Sequence, residues 1–144
     1  MIELRDALAA DADAIAQLLD VLGYPGTAPF IRTRIAQLLA HPDARLVVAA
    51  DGARVVGVIS LHFLPQLALA GDFCRISYLC VDESARGGGI GAMLEARAAA
   101  LARARGCDRI ELHCHARRTD AHRFYERQGY SESPRYYAKS MTDA

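Results

Sequence analysis

Apolar and polar positions alternate along this chain with two periods, and the period changes at clusters of glycine, proline and aspartate. Residues 2–5 read as a short first strand. Ile15, Leu18, Leu19 and Leu22 recur at helical spacing, with Asp11 or Asp13 as the N-cap. Gly23-Tyr24-Pro25-Gly26 breaks that helix. Thr27 is placed to cap a second helix, with Ile31, Ile35, Leu38 and Leu39 inward, and His41-Pro42-Asp43 ends it. Arg45 to Ala50 and Ala53 to Leu64 read as strands joined across Asp51-Gly52, a hairpin signal. Residues 65–71 form a loop with two apolar residues, Leu67 and Leu69, and a fourth strand covers 72–82. Ile90, Met93, Leu94, Ala98 and Leu101 predict a long helix over 90–105, closed by Gly106. Asp108 to Cys114 is a fifth strand, 115–118 a loop, 119–128 a short helix closed by Gly129, and 134–141 a final strand.

The order β-α-α-β-β-β-α-β-α-β predicts an α+β or mixed α/β fold with a central sheet. No repeat, low-complexity tract or linker interrupts it, and 144 residues fit a single domain over 1–144. At 52% hydrophobic and 24% charged the chain is globular, not disordered. Lys+Arg and Asp+Glu balance at 17 each, which argues against a protein built for bulk nucleic-acid binding. No apolar run reaches membrane-spanning length, and the first residues lack the shape of a signal peptide. Cys74, Cys80, Cys107 and Cys114 make no C-x-x-C pair. They read as small hydrophobes in a reducing cytosol, so a cytoplasmic location is expected.

The chemistry concentrates where the fourth strand meets the long helix. Arg86-Gly87-Gly88-Gly89-Ile90-Gly91 fits the pattern R/Q-x-x-G-x-G/A. A strand enters a glycine-rich turn and the turn opens a helix, so unpaired N–H groups and the positive end of the helix dipole converge. That is a phosphate site. Gly87, Gly89 and Ala92 also fit the dinucleotide fingerprint, with Glu111 at a plausible distance for a ribose contact. That fingerprint normally follows the first strand of a parallel unit, whereas hairpin-linked strands precede the loop here. No Gly-x4-Gly-Lys-Ser/Thr is present.

Further along comes Asp120-Ala121-His122-Arg123-Phe124-Tyr125-Glu126-Arg127-Gln128-Gly129-Tyr130. In this order the two segments resemble the signature regions of the GNAT family, the GCN5-related N-acetyltransferases, and the resemblance spans about residues 2–140. It implies a mixed central sheet flanked by helices, with acetyl-CoA in the gap where the strands on either side of the long helix splay apart. It further implies that backbone N–H groups of Gly87, Gly88, Gly89, Ile90, Gly91 and Ala92 hold the pyrophosphate, with Arg86 near the same phosphates. Main-chain groups of Leu79 and Val81 would pair with the pantetheine arm, the Leu79 N–H aimed at the acetyl carbonyl. Tyr125 would be the general acid for the leaving CoA; a thiol near 8.5 and a phenol near 10 make that transfer only mildly uphill. Phe124 reads as core, and Cys80 should point away from the thioester.

Two residues depart from the family pattern. Glu83 stands where proline is common and should face solvent. Arg118 stands where many members carry asparagine, so that contact does not transfer. With Arg117, Arg123 and Arg127 it reads either as a solvated basic face or as help with the CoA phosphates.

Members of the family use a carboxylate or histidine as base. Here His62, Asp72, Tyr78, Glu111, His113 and His115 are candidates. His62, on a strand face with Val58 and Ser60, is chosen because an imidazole near 6.5 suits neutral pH. His113-x-His115 lacks a third ligand, so no metal is expected. Acceptor specificity is expected from Tyr24, Pro25, Phe30, the 64–71 loop, Tyr136 and Tyr137. Aminoglycosides, polyamines, amino acids, small amines and protein amines all stay open as acceptor. The expectation is an enzyme transferring acetyl from acetyl-CoA to an amine by direct attack in a ternary complex, with homodimerisation through the terminal strand edge. The alternative is an acyl-CoA sensor without turnover, against which a retained Tyr125 argues.

Overall fold

A computed structural model of the chain describes residues 1–114, 118–132 and 137–142. They fall into two compact units, Met1–Leu112 and His113–Ala144. The first holds β1 (Ile2–Asp6), α1 (Ala12–Leu22), α2 (Ile31–Ala40), β2 (Ala44–Asp51), β3 (Arg54–Leu64), β4 (Phe73–Val81), α3 (Ile90–Ala104) and β5 (Arg109–Leu112). They build one sheet in the order β1-β2-β3-β4-β5. Neighbours are antiparallel from β1 to β4, while β4 and β5 run parallel. Only the parallel pair needs a crossover, and α3 supplies it. The α+β or mixed α/β reading therefore holds, with a mixed sheet flanked by helices.

Both faces of the sheet are covered, which is why β2 reads Leu-Val-Val-Ala-Ala without a polar break. On one face Leu46, Val48, Val58 and Cys80 pack with Ile15 and Leu18 of α1 and Ile31 and Ile35 of α2. Strand alternation turns Val47, Ile59, Leu61 and Phe63 to the other face, and all four are buried. There α3 approaches closely over Gly57. A Cβ on Gly57 would stand 3.1 Å from Leu94 Cδ1 and 3.3 Å from Ile90 Cγ2. The first turns of α3 thus sit directly on β3 because this position has no side chain.

Helix starts differ from the simplest reading. Asp11 already has helical angles (φ −83°, ψ 0°) and makes no side-chain cap to α1. Its carboxylate instead accepts the Leu8 N–H at 2.7 Å and the Arg5 guanidinium at 2.8 and 3.0 Å. Arg5 foremost holds that carboxyl below its ordinary value, against the opposing effect of burial. Thr27 starts α2 through its backbone, its carbonyl accepting Phe30 N–H at 3.0 Å and Ile31 N–H at 2.9 Å. The Thr27 hydroxyl is buried with no hydrogen-bond partner among the described residues.

The second unit holds α4 (Thr119–Arg127). Residues 137–141 carry no strand, in contrast to the expected final strand, whose residues 134–136 lie outside those described, as do His115 and Arg117. Tyr137 and Met141 are 80% and 82% exposed. Tyrosine-rich runs make strands only where a neighbouring ladder accepts them, so propensity alone was insufficient.

Candidate active site

Where β5 stops, β4 continues. The parallel pairing runs from Phe73↔Arg109 to Ile76↔Leu112 and ends there. Among the described residues, β5 pairs with β4 no further than Ile76, so Leu79 lies beyond the end of that ladder. On its other side β4 pairs with β3, but the register shifts. Ser60 faces Tyr78 and Leu61 faces Ile76, so Ser77 is one residue in excess, a β-bulge. Leu79 and Val81 lie beyond the β5 ladder and pair with Ile59 and Gly57 of β3. Cys80 points to the opposite face, buried, its thiol donating to the Leu18 carbonyl at 3.2 Å.

The loop after β4 is fixed at both ends. Asp82 N–H donates to Val56 O at 2.8 Å, and Arg54 pairs with Asp82 while donating to Ser84 Oγ at 2.6 Å. Gly87 (φ 87°) and Gly89 (φ 81°) are left-handed, and Gly89 is the N-cap of α3. A Cβ at either would meet no atom within 4 Å, so the requirement for glycine there is conformational, not one of space. No side chain caps α3, and its first turn closes with Met93 N–H on Gly89 O at 3.0 Å. The N–H groups of Ile90, Gly91 and Ala92 therefore precede the helical ladder. Gly87, Gly88 and Gly89 are exposed while Ile90 is buried, so the turn is anchored beneath and open above. Arg86 is exposed, and its Nε donates to the Val81 carbonyl at 3.2 Å. One of the Val81 polar groups is thus taken by the chain itself. Glu83 is exposed.

Over the α1–α2 face of the sheet lies a cavity of about 1100 Å³, lined by α1, α2, the turn between them and β2–β4. His62, Ser60 and Tyr78 form part of its wall. His62 is half-buried, and its Nδ1 lies 2.7 Å from the Oγ of Ser77, the bulge residue. Burial first, then the charges of His41 and Arg75, hold the imidazole below its ordinary 6.5. The Tyr78 ring meets Tyr24 edge-on, with centroids 5.2 Å apart and an interplanar angle of 89°. Glu111 is held by Arg75 at 2.7 Å and Arg109 at 3.5 Å.

In the second unit Tyr125 is half-buried on α4, with Phe124 and Tyr130 edge-on at 5.1 and 5.5 Å. Burial, followed by the nearby Cys114, pushes its phenol up to about 12 against the opposing charge of Arg118. That phenol keeps its proton throughout the physiological range but is a weaker acid than the reference value near 10 implies. Phe124 is half-buried too, so α4 contributes no fully buried residue, in contrast to the core role expected for it. Arg118 is the exposed N-cap of α4 and makes no capping hydrogen bond, since a guanidinium has no acceptor to offer.

Sequence reasoning missed Ser77 and Gly57. A bulge depends on the partner strand, so no local signal marks Ser77. Gly57 did carry a signal, as an isolated glycine inside an apolar strand marks close backbone approach.

Comparisons with known proteins bear on this geometry. The family model described as "Acetyltransferase (GNAT) family" matches residues 13–130. An aminoalkylphosphonate N-acetyltransferase of Salmonella typhimurium is 35% identical over 140 residues, covering 96% of this chain and 91% of that protein. A Bacillus halodurans protein described as a transcriptional regulator superposes with a TM-score of 0.89 at 29% identity, over 98% of this chain and 100% of its own. Glucosamine-6-phosphate N-acetyltransferase of Arabidopsis thaliana reaches a TM-score of 0.86 at 19% identity, over 99% of each chain, which speaks for the fold alone.

Proposed function

The chain belongs to the GNAT acetyltransferase family and is an N-acetyltransferase, and on that premise we propose that it carries acetyl from acetyl-CoA to a small-molecule amine by direct attack in a ternary complex. We treat residues 1–144 as one acyltransferase domain, since the family match runs through both units. The observation that carries the reading is the end of the β5 pairing at Ile76, beyond which β4 carries Leu79 and Val81 straight into an uncapped helix start behind left-handed glycines. Such an edge fits an extended amide-bearing arm, and such a helix start fits a pyrophosphate. Acetyl-CoA supplies the activated thioester when bound.

In this reading Leu79 N–H donates to the developing oxyanion, and Leu79 and Val81 align the arm. The N–H groups from Gly87 to Ala92 hold the diphosphate, with Arg86 beside them. Arg118 stands in for the family's asparagine as a phosphate cation rather than a neutral contact. His62 takes the proton from the attacking amine. Its Nδ1 is engaged by Ser77, so Nε2 is the nitrogen available for that work. Burial keeps the imidazole in the neutral form a base requires. Tyr125 keeps the acid role, its proton retained by burial. No described helix is long and apolar enough to cross a membrane, and a cytoplasmic location is part of this reading. The Salmonella relative acts on aminoalkylphosphonates, which therefore lead the acceptor panel.

Isothermal titration with acetyl-CoA, CoA and NAD tests the cofactor. Micromolar binding of acetyl-CoA with none of NAD is expected. Tyr125→Phe then tests the chemistry, and should leave acetyl-CoA affinity within about twofold while turnover falls by about 10²-fold or more. Loss of affinity in that variant, or undiminished turnover, would remove Tyr125 from the acid role.

A further inference from the structure

Resting on the acetyl-transfer reading, we infer that the acceptor is an amine carrying both an apolar or aromatic body and an anionic oxyacid group, taken up by the α1–α2 cavity with the anion at Arg34. Three observations converge on this class.

Size and lining come first. The cavity measures about 1100 Å³, and apolar side chains of α1, α2 and β2–β4 make most of its wall. Tyr24, Phe30 and Tyr78 add aromatic surface, and although Tyr24 and Tyr78 meet edge-on, the three are still 51%, 50% and 38% exposed. A short polar amine would leave this surface wet, whereas an aryl or branched alkyl group would bury it.

Charge comes second. Among the described residues no aspartate or glutamate lines the cavity, while Arg34, His41 and His62 do. A polyamine or aminoglycoside would find no counter-charge there, so those two acceptor classes are disfavoured. Arg34 donates to the neutral Gln37 Oε1 at 2.9 Å, and none of the ion pairs among the described residues includes it. An exposed guanidinium bordering an apolar cavity is suited to two-point recognition of a carboxylate or phosphonate.

Position comes third. His62, the proposed base, belongs to the wall of the same cavity. An acceptor with its body among the aromatic rings can therefore present its amine to the imidazole. The wall also contains Thr27, whose buried hydroxyl has no hydrogen-bond partner among the described residues.

The test uses the full chain and four probes by isothermal titration: 1-amino-2-phenylethylphosphonate, phenylalanine, aminomethylphosphonate and phenethylamine, with acetyl-CoA titrated on the same preparation. Both aryl amino acids should bind at least about tenfold tighter than aminomethylphosphonate, which lacks the body, and than phenethylamine, which lacks the anion. Tighter binding of the first than the second identifies a phosphonate site; the reverse identifies a carboxylate site. Arg34→Gln, an exposed substitution that leaves the core untouched, should weaken both aryl anions about tenfold, toward phenethylamine. Equal or tighter binding of phenethylamine, the best binding by aminomethylphosphonate, indifference to Arg34→Gln, or no binding of any probe would each overturn the inference. Any of these results alongside intact acetyl-CoA binding overturns it alone. Absent acetyl-CoA binding would overturn the acetyl-transfer reading instead.

Discussion

On the α3 side of the sheet Ile59, Leu61 and Phe63 are 0%, 0% and 2% exposed, and Gly57 lets a helix lie against the strand. On the α1–α2 side the intervening residues of the same strand, Ser60 and His62, border an open cavity. One strand thus serves two purposes on alternate residues. The closed face is packed to exclude water, as interiors are. The open face keeps a histidine half-buried, an aromatic pair partly exposed and a threonine hydroxyl unpaired, each at some cost to stability. Tolerance to substitution should therefore differ by face: packing changes register on one, chemical changes on the other.

The largest effect should come from the closed face. Leu94→Ala should cost about 2–5 kcal/mol in urea unfolding, because its site is fully buried and cannot collapse easily. A loss below about 1 kcal/mol would show that this face is looser than its burial implies. Next comes the open face. His62→Gln should lower kcat/KM by about 10²–10⁴-fold while stability changes by less than about 1 kcal/mol. The wild-type kcat/KM should fall on the acid side, below the ordinary imidazole value of 6.5, because the folded group titrates lower. Stability should follow the same sign. The unfolded chain takes up that proton first, so the neutral imidazole's contribution is complete above 6.5 and declines as pH falls through the window beneath it. A kcat/KM that shows no fall anywhere on the acid side of 6.5 would exclude His62 as base.

Gly57→Ala couples the two properties. Leu94 and Ile90 would have to give by a few tenths of an ångström, at a cost of about 1–2 kcal/mol. The first turn of α3 moves with them, so acetyl-CoA affinity should drop as well; unchanged affinity would separate the closed face from the phosphate loop. The smallest effect is Thr27→Val, which removes a buried unpaired hydroxyl and should raise stability by up to about 1 kcal/mol. A destabilised variant would mean the hydroxyl serves the folded chain itself.

Most of the fold was legible in the sequence because each element carries its own period. The alternation in β3, the helical spacing of Ile90, Leu94 and Ala98, and the glycines around α3 are local signals. The residues it misplaced depend on partners far away in the chain. Asp11 was expected to cap α1, but Arg5 and the Leu8 N–H claim its carboxylate. The 137–141 run has strand propensity without a ladder. Of the candidate site, the glycine loop was readable as a motif and His62 as a residue type. Ser77 was not, since a bulge is a relation between two strands. That relation brings a serine hydroxyl to His62 Nδ1 and turns Tyr78 to the face of Ser60.

The parallel β4–β5 pair has a consequence for the order of assembly. Every other pairing in the sheet joins strands that are consecutive in the chain without a helix crossing over, apart from β1 with β2. The pair β4–β5 must wait for α3, and its Arg75–Glu111 contact spans 36 positions. Loop closure over that distance is slow compared with a hairpin. A growing chain would therefore finish the β2–β3–β4 wall of the cavity first. The β4 edge beyond β5 would mature last, after the crossover that also carries the glycine turn.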